Sequence, residues 1–122
     1  MAAYAIAQVH VTQESRYAEY LERVPDTIRK YGGRYVVRGG RADHFGEANP
    51  YERMVVIEFP DRTAAEQWIQ SPEYAETSRY GEEACHGVLS IVDGVEDDAG
   101  ADRLAKRLAW AEGVALHSWI FG

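Results

Sequence analysis

Two glycine pairs, Gly32-Gly33 and Gly39-Gly40, fence the run Arg34-Tyr35-Val36-Val37-Arg38 in the stretch KYGGRYVVRGGR. Five residues with a β-branched pair at their centre are too few for a stable helix and suit a strand. The first glycine pair supplies a left-handed residue to close a preceding helix. The second ends the strand and opens a turn. Alternation then sets Arg34, Val36 and Arg38 on one face of the strand and Tyr35 and Val37 on the other. A strand fenced this closely fixes the phase of its neighbours. A helix must arrive before it, and a loop must leave after it.

The flanking sequence obeys. Tyr4 to Val11 alternates as a first strand, with Tyr4, Ile6, Gln8 and His10 on one side and Ala5, Ala7, Val9 and Val11 on the other. Tyr17, Tyr20, Leu21, Val24, Ile28 and Tyr31 recur at helical spacing, and Thr12 or Ser15 can cap that helix. Pro25 lies inside the pattern and is expected to kink or split it. After the polar loop RADHFGEANPYE, Arg53 to Phe59 forms a third strand stopped by Pro60. A second helix, capped by Asp61 or Thr63, breaks at Pro72 and resumes. Gly87 to Val95 reads as a fourth strand. The order βαββαβ predicts an α+β, ferredoxin-like fold: a four-stranded antiparallel sheet with its helices on one face. The other face then carries Ile6, Val36, Met54, Val56, Val88 and Val92. So apolar a face marks an interface, and a homodimer through the sheet faces, a dimeric α+β barrel, is expected.

Residues 1–96 account for that domain, and residues 97–122 are expected to be a C-terminal helix and an apolar tail packing on the domain or on the partner subunit. The tail holds Trp119, Ile120 and Phe121. Leaving such side chains in water forgoes roughly 1.5–3 kcal/mol each, so a lid or wall is expected there.

Charge narrows the partners. The net charge of −7 argues against nucleic acid and against anionic membranes, which need a basic footprint. No apolar run is long enough for a transmembrane helix, and the N-terminal residues read as a strand, not a signal peptide. The single cysteine, Cys85, cannot form an internal disulfide, so a cytoplasmic location is expected.

Three segments in this order and spacing, KYGGRYVVRGG, ERMVVIEFPD and AAEQWIQSPEYAETSRYGEEA, resemble a family of small uncharacterised-domain proteins in the dimeric α+β-barrel superfamily. The resemblance spans roughly Ala3 to Val95. It implies a ferredoxin-like fold dimerised through its sheets, with relatives among antibiotic-biosynthesis monooxygenases, muconolactone-type isomerases and haem-degrading enzymes. Many of these work without metal or organic cofactor in a pocket of each subunit. Two departures stand out. Family members usually carry an acidic residue shortly before the last strand, where this chain has CHG, Cys85 to Gly87. They also usually end near that strand.

In the ferredoxin-like strand order, His10, Arg38, Met54, Cys85 and His86 come to one rim, with Arg41 and His44 in the adjoining loop. His10 and His86 could move a proton near neutral pH. Arg38 could hold a developing negative charge through paired hydrogen bonds. Tyr35, Trp68 and Phe59 would wall a small hydrophobic ligand, with Arg41, His44, Met54 and Trp119 as further binding candidates. These features point to a cofactor-independent enzyme of isomerase, cyclase or monooxygenase type. A non-catalytic small-molecule-binding dimer is the alternative, and in it His10 and Arg38 merely satisfy each other or Glu58. No cofactor and no metal are expected: the histidines lack metal-ligand spacing, although superfamily analogy alone leaves open a haem held by one histidine. Arg34 and Glu58 are expected to form a cross-strand ion pair, and Cys85 to be an inert thiol.

Overall fold

The computed structural model describes residues 1–95; the expected C-terminal helix and tail, Trp119 included, lie outside the described residues. Seven elements follow in order: β1 Ala3–Val11, α1 Glu14–Lys30, β2 Arg34–Arg38, β3 Arg53–Phe59, α2 Arg62–Ile69, α3 Pro72–Ala84 and β4 Cys85–Asp93. The strands pair antiparallel in the order β2-β3-β1-β4. This is the ferredoxin-like α+β arrangement that the sequence predicts, its second helix interrupted at Ser71-Pro72. Among the described residues no helix is long and apolar enough to cross a membrane. The sheet and its helices form one compact unit, Met1–Ala42 with Pro50–Gly94, while Asp43–Asn49 falls in a second.

The helices cover one sheet face. Ala5, Ile57 and Phe59 from the strands meet Val24 and Ile28 of α1 and Ala65 and Trp68 of α2 in a single buried cluster. Trp68 is fixed by more than packing: its Nε1–H donates to Thr27 Oγ1 at 3.0 Å, and Thr27 donates to the Val24 carbonyl at 2.7 Å.

The caps show which residues set the boundaries. Asp61 accepts from the Ala64 amide and Ser71 from the Tyr74 amide, each satisfying one of the first amides of a helix. The start of α1 differs from expectation. Gln13 stands at its N-cap without a side-chain bond, and Thr12 instead donates to the Ala84 carbonyl at 3.0 Å. Gly32 takes φ +81 at the end of α1, the left-handed conformation expected of this glycine. Gly33 serves another need: a Cβ there would lie 2.7 Å from the Phe59 ring and 2.8 Å from Ile28.

Three further expectations are corrected. Pro25 does not split α1, which runs unbroken through it, because Val24, Thr27 and Ile28 are buried on either side. β4 begins at Cys85, two residues before the expected Gly87, directly after α3 with no loop between. Finally, β2 is irregular. Tyr35 pairs with Ile57 but Val37, not Val36, pairs with Val56, so a β-bulge leaves Val36 without a partner. Beyond the bulge the side chains have exchanged faces, and Arg38 stands opposite Val55 instead of Met54.

Candidate functional site

The space between helices and sheet is incompletely filled. A cavity of about 350 Å³ opens there, lined by Tyr17, Tyr20, Leu21 and Val24 of α1, Tyr35, Val55 and Ile57 of the sheet, Trp68 of α2, and Tyr74, Ser78, Gly81 and Glu82 of α3, with Ala7, Val9, Cys85, Gly87, Val88 and Leu89 completing it. Small residues create the room. Ala7 and Gly81 are small members of the lining, and a Cβ at Gly81 would lie 3.2 Å from the Tyr20 ring; Gly87 instead allows close approach of β4 to β1, since a Cβ there would lie 2.1 Å from the Gln8 carbonyl oxygen. The walls are aromatic, with neighbouring rings tilted against one another. Trp68 and Tyr74 have ring centroids 4.4 Å apart, and Tyr17 and Tyr20 5.9 Å.

The phenols are held protonated. Burial pushes Tyr17, Tyr35 and Tyr74 above the ordinary tyrosine value and Tyr20 well above it. The Tyr20 and Tyr74 hydroxyls are 3.1 Å apart and share one hydrogen bond, so one of the two O–H groups is left to donate elsewhere. Cys85 donates its S–H to the Gly81 carbonyl at 3.2 Å, and burial raises its pKa, with the Glu52 carboxylate adding to the rise. Both effects suit the expected inert thiol. Among the described residues the only carboxylate in the lining is Glu82, exposed on α3.

Sequence reasoning passed over Glu82 because it started the last strand at Gly87. With β4 beginning at Cys85, Glu82 and Glu83 stand three and two residues before the last strand.

A second, smaller hollow of about 170 Å³ adjoins the first and shares Tyr17, Leu21 and Val55 with it; Arg38, Gly39 and Arg53 complete its lining. Both arginines are on the helix side of the sheet. Arg38 lies over the Tyr35 ring at 4.5 Å, and Arg53 over the Tyr17 ring at 5.2 Å. Arg38 also donates to the Leu21 carbonyl at 3.2 Å. That carbonyl is the acceptor that residue 25 would use in a regular α-helix, and Pro25 has no N–H to offer it. The proline that fails to break the helix therefore leaves one carbonyl open, and Arg38 takes it.

The expected gathering of His10, Arg38, Met54 and His86 around one opening is corrected by this geometry. His10 and His86 are register partners on the open face, with rings stacked 6.3 Å apart, and His10 Nδ1 lies 2.9 Å from Glu52. Met54 pairs with Gln8 and shares that open face. Arg38, turned by the bulge, faces the helices instead, so His10 and Arg38 cannot satisfy each other. Of the expected binding residues, Tyr35 and Trp68 line the cavity, whereas Phe59 is wholly buried in the core and absent from the lining. Arg41 is exposed, and His44 is exposed in the second unit. The expected Arg34–Glu58 pair is present at 3.1 Å, with Tyr4 donating to the same carboxylate.

Solved structures resemble the fold at low identity. A protein of unknown function from Rhodopseudomonas palustris superposes with a TM-score of 0.66 at 16% identity, covering 79% of this chain and 84% of that one. A dimeric ferredoxin-like protein of unknown function from Jannaschia sp. CCS1 gives 0.60 at 11% identity, covering 77% and 100%. A cofactor-independent oxygenase from Streptomyces nogalater gives 0.54 at 8% identity, covering 80% and 96%. At such identities the likeness is one of fold. No curated protein matches the chain. Residues 2–95 match the family described as Domain of unknown function (DUF1330), and the chain belongs to that family.

Proposed function

We propose that the protein is a homodimeric, cofactor-independent enzyme that binds a small aromatic metabolite between helices and sheet and takes a proton from it. The cavity carries this reading. Its volume of about 350 Å³ lies at the small end of the range of roughly 300–1,000 Å³ usual for ligand sites, and suits a body of one or two rings. Its walls are aromatic, its phenols are neutral hydrogen-bond donors, and it has one carboxylate. In this reading Glu82 accepts the proton. The O–H left over from the Tyr20–Tyr74 pair donates to the oxygen on which negative charge develops. The resulting enolate or phenolate is the species from which isomerisation, cyclisation or reaction with dioxygen can proceed. The fold shared with a cofactor-independent oxygenase agrees with such chemistry without selecting among the three.

The dimer is proposed from the open face. Val36, Val88 and Val92 are 50%, 48% and 45% exposed there, and Ile6 and Val56 complete the patch. Facing sheets would bury it, as befits a chain whose fold relatives include one described as dimeric. His10 and His86 then belong to the seam and not to the reacting centre.

The test is turnover of a panel of hydroxylated aromatics by protein purified in chelator, followed by absorbance and oxygen uptake, with binding measured in parallel by calorimetry. Glu82→Gln is expected to lower turnover about a hundredfold or more while affinity stays nearly constant. Ligands that bind without being converted, or a Glu82→Gln protein that keeps full turnover, would overturn the catalytic reading; the first result would leave a non-catalytic binding protein.

A further inference from the structure

We infer that the ligand of the tyrosine-walled cavity is an aromatic carboxylate, its anionic head held in the adjoining hollow between Arg38 and Arg53; this rests on the cavity being the ligand site. Four observations converge on it. The hollow brings two guanidinium groups into the lining of one space of about 170 Å³. Among the described residues neither arginine is ion-paired to a carboxylate, although most other arginines are: Arg29 and Arg34 each hold one, and Arg16 and Arg62 each hold two. Two like charges facing the same small space repel, and an anion placed between them relieves that repulsion. The hollow also adjoins the cavity, sharing Tyr17, Leu21 and Val55 with its lining, so a ligand seated in the cavity has the two arginines as near neighbours.

The orientation of the arginines supports a binding role over a merely structural one. Arg38 spends one of its five N–H groups on the Leu21 carbonyl, which fixes the guanidinium without neutralising it. Its guanidinium carbon lies over Tyr35 and that of Arg53 over Tyr17, so each cation is held near a ring that also lines the aromatic cavity. A ligand whose ring lies in the cavity would present its carboxylate beside those two rings. Glu82 lines the large cavity but not the hollow, so the reaction's carboxylate and the ligand's would be kept apart. Gly39, with φ +69, closes the hollow without adding a side chain to it, and a Cβ there would lie 3.2 Å from Arg53 Nε.

The experiment compares naphthoate with naphthylmethanol, which share a ring system and differ in the carboxylate. Affinities are measured by calorimetry on the whole chain at low ionic strength, and slowed alkylation of Cys85 locates binding in the cavity. Naphthoate is expected to bind tighter on the order of tenfold or more, as charge-assisted hydrogen bonds warrant. Added salt should shrink that preference, because Arg38 is exposed to solvent. The double substitution Arg38→Gln with Arg53→Gln should erase the preference and leave naphthylmethanol binding in place. Equal affinity of the wild-type protein for the two compounds would overturn the inference while sparing the cavity, and so would a preference that survives the double substitution. The wild-type comparison needs no variant and decides the matter even if the double variant does not fold. Failure of both compounds to bind or to protect Cys85 would overturn the cavity reading and the inference with it.

Discussion

Single residues in this chain act through what they lack as much as through what they offer. Pro25 withholds an amide, and the carbonyl thereby freed anchors Arg38. Pro25→Ala should restore the helical bond and raise thermal stability, since proline inside a helix costs about 3 kcal/mol against alanine. The same change should loosen Arg38 and reduce the naphthoate preference a few-fold, leaving naphthylmethanol unaffected. Greater stability with no change in preference would show that Leu21 does not position the arginine. Glu52 acts by charge. The Val11 amide and the His10 ring hold its carboxyl at about 2, against an ordinary 4.5. A depressed carboxylate stabilises the fold above its unfolded pKa and loses that contribution as pH falls through the folded one. The melting-temperature difference between wild type and Glu52→Gln should therefore be constant above about pH 5 and vanish towards pH 2; a difference independent of pH would contradict the assignment.

At the scale of elements, the two glycine pairs prove unequal. Gly33 sits against Phe59 and Ile28, whereas nothing lies within 4 Å of a Cβ placed on Gly40. Gly33→Ala should thus cost roughly 1–3 kcal/mol by overpacking, and Gly40→Ala close to nothing, as chemical denaturation would show. The element pattern was legible where alternation was clean. β1 throughout, and β3 from Val55 onward, place small or apolar residues on the helix side at every second position, and their faces follow directly. β2 was not legible. Val36 and Val37 are chemically alike, so the run reads equally well with or without a bulge between them. β4 was misread for a different reason. Helices usually signal their ends with glycine or a polar turn, but Ala84 passes straight into Cys85. That missing signal also drew attention away from Glu82; of the expected aromatic walls Tyr35 and Trp68 line the cavity and Phe59 does not, while His10 and His86 stand on the open face.

At the scale of the whole molecule, the decisive fact is that, among the described residues, helices cover only one side of the sheet. The sequence showed this early, because two helical stretches cannot shield both faces of four strands. Val56 lies in the middle of the open face, paired with Ile6 on one side and Val37 on the other. Val56→Asp should split the proposed dimer, since an unpaired carboxylate buried at the seam costs several kcal/mol. Light scattering on that variant decides: an unchanged dimer would place the seam elsewhere. The cavity lies on the opposite side of the sheet, so the separated subunit should keep its ligand site even as it loses its partner.

The bulge in β2 has a consequence for homology transfer. Aligned from the glycine pair without a gap, Arg38 falls opposite a residue that, in a relative with a regular second strand, points to the open face of the sheet. The structural counterpart in that relative stands one position nearer its first helix. At 8–16% identity no sequence score will insist on the gap. Surveys of the family for a cation at this site will therefore miss true equivalents and count false ones unless Val36 is treated as an insertion.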